Sequence, residues 1–79
     1  MSSIDNFKKE ISELVHLHRN KSSLSQIALA QLAGVGKTVI FDLEHGKMTI
    51  RLDTLLRVFD ALNIEIRFYS PLLQAMKET

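Results

Sequence analysis

Cysteine is absent from the 79 residues, which removes disulfides, thiolate nucleophiles and cysteine-rich zinc frameworks. Tryptophan is absent, proline occurs once and glycine three times, so chain breakers are few and each marks a boundary. No apolar run approaches the roughly 18 residues of a membrane span. The start, Met1-Ser2-Ser3-Ile4-Asp5-Asn6, lacks the charged-then-apolar layout of a secretory signal. A cytoplasmic, membrane-free protein is therefore expected. Charge of one sign is also missing: ten Lys+Arg face nine Asp+Glu, for a net +1. That balance argues against a wholesale polyanion binder, although cations gathered on one face could still hold a duplex.

What is present is a 46% hydrophobic chain, ordinary for a globular domain and too apolar for a disordered one. Residues 1–79 make a single domain. A chain this short buries only about 60% of its unfolded surface. Without disulfide or metal, a second subunit is the expected staple.

The periodicity predicts four helices. Ile4, Phe7, Ile11, Leu14 and Val15 mark one face of the first, with Ser2 or Ser3 as cap and Asn20 to Ser23 as the loop after it. The second runs from Leu24 to Leu32, with Ser25 as cap, Ile27, Leu29, Ala30 and Ala33 as anchors, and Gly34 as stop. The third runs from Lys37 to about His45 on Val39, Ile40 and Leu43, stopped by Gly46. The fourth, Leu52 to Leu62, carries Leu52, Leu55, Leu56, Phe59 and Leu62, and Asn63 suits its left-handed end. The period then drops to two. Residues 64–69, Ile-Glu-Ile-Arg-Phe-Tyr, read as a strand, and residues 72–79 as a weakly helical tail. No other segment reads as a strand, so the expected partner is the same strand of a second copy. In that dimer Ile64, Ile66 and Phe68 face the helices, and an axis at Ile66 sets Glu65 opposite Arg67 of the other copy. The expected fold is mainly α, a four- to five-helix repressor-like domain whose short C-terminal β-strand pairs across a dimer.

Several apparent sites carry no chemistry. Gly34-Val35-Gly36-Lys37-Thr38 resembles the end of a phosphate-binding loop, but position 31 is Gln where that loop needs Gly, and the preceding segment reads as helix. His16 and His18 diverge on a helix and cannot share a metal. His18 continues the apolar stripe and is expected to be partly buried. No nucleophile–base grouping or carboxylate pair stands out, so no catalytic residue, metal or cofactor is expected.

The informative segment is residues 24–47, two short helices about a tight glycine turn. Leu24, Ser25, Gln26, Leu29, Ala30, Ala33, Gly34, Val35, Ile40, Leu43, Glu44, Gly46 and Lys47 resemble the helix-turn-helix of the phage-repressor/Cro (XRE) family, the motif itself spanning residues 25–45. The run from Thr49 to Ile66, with Arg51-Leu52-Asp53-Thr54-Leu55-Leu56, is similar to the HipB-like antitoxin branch. This resemblance implies a bacterial, nucleoid-associated, autoregulating repressor that binds a palindromic operator as a homodimer, beside a HipA-like kinase toxin. A mobile-element repressor without a toxin, or a protein-interaction adaptor, is the alternative.

A major groove about 12 Å wide admits one helix, whose N-terminal residues reach base edges. Lys37, Thr38 and Val39 are the expected readers, with Phe41 and Asp42 one turn on. The resemblance carries base contact onto Lys37, Thr38 and Asp42. Asp42 departs from it, because a carboxylate near phosphate needs a donor, for which Lys37 and Arg51 are the candidates. Ser25, Gln26, Lys47 and Arg51 are the expected phosphate contacts, with Lys21 a weaker one. The resemblance further implies that Arg19 and Glu44 form a structural ion pair.

Overall fold

Five stretches become helices in the computed structural model, which describes residues 3–77: α1 (Ser3–Lys21), α2 (Gln26–Ala33), α3 (Lys37–Glu44), α4 (Leu52–Ala61) and α5 (Pro71–Lys77). The alternative cap Ser2 and the last two residues of the expected tail, Glu78 and Thr79, lie outside the described residues. Ser3 is the first residue of α1 itself.

Chemistry at the helix ends sets these bounds. Ser25 is extended and its hydroxyl accepts from the Ala28 amide at 3.0 Å, so α2 starts one residue after its cap. Four helices end in the same way. An amide two or three residues past the end donates back to a carbonyl five residues earlier: Leu24 to Arg19 at 3.1 Å, and Val35 to Ala30, Lys47 to Asp42 and Ile64 to Phe59, each at 2.9 Å. The residue before each donor sits at positive φ: Ser23 (57°), Gly34 (71°), Gly46 (78°) and Asn63 (59°).

The core is wholly apolar. Val15, Leu29, Ile40, Leu43 and Val58 are fully buried, with Ile11, Ala30, Leu55, Phe59 and Leu62 around them. α2 is the hub, packed on α3 and α4, while α1 packs on α3. Small Ala30 and Ala33 on α2 permit this close crossing.

Two apolar stripes run further than their cover. Ile4 and Phe7 continue the α1 stripe but are 66% and 57% exposed, because the neighbouring helices cover only the later turns of α1. On α4 the covered edge holds Val58, whereas Leu52 and Leu56 of the expected stripe face solvent.

The strand expected at residues 64–69 does not form: no strand occurs among the described residues. A single extended segment has no ladder to join within one chain. Its charges pair locally, Arg67 donating to Glu65 of its own chain at 3.0 Å. The tail becomes α5, which buries no residue.

The turn between α2 and α3 makes a sharp test of local cause. A Cβ at Gly34 or Gly36 meets nothing within 4 Å, but only Gly34 has positive φ. Gly34→Ala should therefore cost about 1–2 kcal/mol. Gly36→Ser should add a few tenths, by supplying the side-chain cap that α3 lacks. Thermal melts check the contrast, and equal shifts at the two sites would refute it.

Candidate nucleic-acid interface

α3 is amphipathic in the direction its position requires. Ile40 and Leu43 are fully buried, so Thr38, Phe41, Asp42 and His45 line the opposite side and Lys37 stands at its N-terminal rim. Lys37 and Thr38 are exposed, while Val39 and Asp42 are half-buried at the flank.

Each side of this helix borders a hollow. One, of about 370 Å³, is lined by Gln26, His16, Glu44 and His45 among others, so Gln26 at the start of α2 adjoins the α3 surface. The other, of about 100 Å³, brings together Val39, Asp42, Lys47 and Ile50. Six of the expected contact residues (Gln26, Lys37, Thr38, Val39, Asp42 and Lys47) thus lie on or beside one exposed helix. Ser25 adjoins them with its oxygen engaged in capping. Arg51 lies in the connection to α4, and its guanidinium is taken by Asp53 at 3.0 Å.

The cation that pairs with Asp42 is neither Lys37 nor Arg51. Lys47 Nζ lies 3.9 Å from Asp42 Oδ2. The left-handed turn at Gly46 folds Lys47 back over the last turn of α3, where its amide also caps the Asp42 carbonyl.

Behind the surface lies the Arg19–Glu44 pair. Arg19 Nε and a terminal nitrogen donate to the two Glu44 oxygens at 2.6 and 2.9 Å, a bidentate fork. The remaining terminal nitrogen donates to the Leu24 carbonyl at 2.8 Å. The side chains are 12% and 4% exposed, so this is an interior pair. Burial by itself pushes the Glu44 carboxyl up. The hydrogen bonds from Arg19 and His16, together with the charge of Arg19, outweigh burial and hold it below its ordinary 4.5. Hydrogen bonding to Glu44 lifts the Arg19 guanidinium against the cost of burial.

Sequence reasoning missed the rest of this network. The His16 Nδ1–H donates to Glu44 at 2.7 Å and the Asn20 amide donates to His16 Nε2 at 3.0 Å. The Ser12 hydroxyl donates to the Glu44 carbonyl at 2.6 Å. The available signal was spacing, since Ser12, His16, Arg19 and Asn20 recur along α1 at three- and four-residue intervals. The stack of Phe41 on His45 was missed too, with ring centroids 4.0 Å apart. The same spacing rule, applied to the outward side of α3, finds it. His18 is half-buried as expected. Among the described residues no group of His, Asp and Glu is placed to hold a metal, and no helix is long and apolar enough to cross a membrane.

A family model described as helix-turn-helix matches residues 15–69. An uncharacterized HTH-type transcriptional regulator, y4mF, of Sinorhizobium fredii is 39% identical over 62 residues, covering 78% of this chain and 82% of that protein. Control protein C.SmaI of Serratia marcescens is 34% identical over 59 residues, covering 75% of this chain and 70% of its own. Among solved structures, an HTH_3 family transcriptional regulator from Vibrio cholerae superposes with a TM-score of 0.71 at 28% identity. The alignment covers 80% of this chain but 35% of that larger protein.

Two outcomes follow from the buried pair. Arg19→Ala leaves the buried Glu44 carboxylate with the His16 hydrogen bond but no guanidinium to offset its charge, and should cost about 3–5 kcal/mol of stability. A melting temperature unchanged by that substitution would contradict the structural assignment. The pH dependence has a definite sign. The Glu44 carboxyl is depressed on folding, so its contribution is present above about pH 4.5 and is lost as pH falls through its lower folded value. The stability gap between wild type and Glu44→Gln should therefore narrow on acidification from about pH 5 to pH 2, as measured by denaturant unfolding.

Proposed function

This chain belongs to the XRE-type helix-turn-helix family HTH_3, and from that membership we propose that it is a sequence-specific transcriptional repressor working as a homodimer on a palindromic operator. The observation that carries this reading is the outward side of α3. Thr38, Phe41, Asp42 and His45 are presented on a short helix anchored from behind by Ile40 and Leu43, with Gln26 and Lys47 at its two flanks. In this reading Lys37 donates to guanine O6 and N7, Thr38 bonds to or packs against a base, and Asp42 accepts from cytosine N4 or orients Lys47. Ser25, Gln26, Lys47 and Arg51 contact phosphates. The Sinorhizobium relative, named a transcriptional regulator, points the same way.

Dimerisation is assigned to the C-terminal segment. Ile66, Phe68, Tyr69 and Leu72 are 41%, 83%, 79% and 76% exposed, an apolar concentration that a soluble monomer rarely leaves open. Residues 64–69 pair antiparallel with their copy about Ile66, and Ile64 and Phe68 turn toward the helices. Glu65 and Arg67 lie on the other side and exchange their own-chain pair for cross-strand pairs.

The HipA-like kinase toxin is the proposed partner of the dimer. Its support is the run from Thr49 to Ile66 alone, since the relatives' names, regulator and control protein, mention no toxin. Co-purification with the product of the adjacent reading frame tests that part separately. A kinase that does not co-purify favours a repressor without a toxin.

Selection from random duplexes followed by footprinting should give two half-sites about 34–36 Å apart. Lys37→Ala should relax base preference. Lys47→Ala should weaken all duplexes alike and lower the salt slope by about one unit. Absence of salt-dependent duplex binding would instead favour the adaptor. Phe68→Asp should give monomers by sedimentation at concentrations where wild type is dimeric. A dimeric Phe68→Asp protein would remove the C-terminal interface.

A further inference from the structure

The surface that the repressor reading sets in the groove has an unusual composition. It includes a phenyl ring: Phe41 is 47% exposed at the fifth position of α3, one turn after Thr38. Asp42, beside it, is engaged by Lys47. Hydrogen-bond readout from this helix falls to Lys37, Thr38 and Asp42, none of which offers an apolar surface as large as this ring.

Phe41 is also held in place. It stacks on His45 with centroids 4.0 Å apart and planes 22° from parallel. The His45 ring is itself fixed, its Nδ1–H donating to the Phe41 carbonyl at 2.7 Å. A ring ordered before binding loses little further rotamer freedom on contact. The major-groove edge offers one apolar feature, the 5-methyl group of thymine, and a phenyl ring is a side chain suited to it.

We propose that Phe41 is a specificity-determining residue that recognises thymine methyl groups in each operator half-site, with the Thr38 methyl extending the same apolar surface. The inference rests on the DNA-binding reading of α3 and adds to it the chemistry of the base that is read.

The test uses the duplex selected by the wild-type protein. Each thymine is replaced singly by deoxyuridine, which removes the methyl and leaves base pairing intact. At one or two positions per half-site, wild type should lose about 3- to 5-fold in affinity, as expected for one buried methyl. Phe41→Ala should be insensitive to the same replacement and melt near the wild-type temperature. Phe41→Leu, which keeps an apolar side chain, should remain partly sensitive. Restoring the methyl as 5-methylcytosine in a cytosine-substituted site should recover affinity for wild type but not for Phe41→Ala.

Wild-type indifference to every replacement overturns the inference while leaving DNA binding intact. Sensitivity that survives Phe41→Ala but vanishes in Thr38→Ser transfers the role to Thr38 and also overturns it. A library that yields no preferred duplex overturns the repressor reading, and this inference falls with it.

Discussion

Glu44 sits where a carboxylate is least welcome. It is the last residue of α3, at the negative end of the helix dipole, and its side chain is 4% exposed. Neither burial nor position favours the charge, so its stability depends on what surrounds it. Arg19 supplies a fork, His16 a third donor, and Ser12 binds the Glu44 carbonyl. Arg19 simultaneously holds the Leu24 carbonyl in the turn before α2. One carboxylate thus gathers α1, the α1–α2 turn and the end of α3. A buried ion pair adds little net stability compared with apolar packing, but it accepts few alternative geometries. Its effect here is to fix the rotation and height of α3 against α1. Those are the two quantities that decide which α3 side chains face outward.

The helix ends complete that control with few special residues. Four helices close by one pattern, and three of the four left-handed positions carry Gly34, Gly46 or Asn63, residue types that tolerate positive φ. Leu24, Val35 and Ile64, just past three of the turns, pack on the core. Each of these turns therefore both satisfies orphan carbonyls and adds an apolar contact. At Gly46 the residue past the turn is Lys47, and the same geometry carries a cation back to Asp42 instead.

How much of this could be read in advance followed from how local each signal was. The stops at Gly34, Gly46 and Asn63 and the Ser25 cap are properties of single residues and were legible. The left-handed Ser23 was not, since serine carries no such preference. The inward sides of α2 and α3 were legible at Leu29, Ala30, Ile40 and Leu43, whereas Ile27, expected as an α2 anchor, is 52% exposed. The cover over α1 and α4 was not, because an apolar stripe does not reveal how far its neighbours extend. Ile4, Phe7, Leu52 and Leu56 are periodic yet exposed, and Val58 is buried at the edge the pattern left out. Alternation at residues 64–69 was visible, but a ladder needs a second chain. At the surface, residue types located Lys37, Thr38 and Gln26. The Lys47–Asp42 pair depends on a turn that composition does not express, whereas the Phe41–His45 stack was open to the four-residue spacing rule.

The charge balance places a last constraint on how such a surface can work. Counterion release on neutralising phosphates supplies most of the sequence-independent affinity for DNA. With a net charge of +1 and one flanking cation already shared with Asp42, each chain has little of that attraction to spare. Weak general attraction disadvantages wrong sites as much as right ones, so discrimination has to arise from contacts that exist only at the right bases. Two linked copies restore affinity through effective concentration without adding cations. On this argument the exposed C-terminal segment and the apolar ring on α3 belong to one strategy. In the proposed homodimer the segment joins two weakly charged readers, and in the proposed readout the ring gives each a contact that no phosphate can substitute.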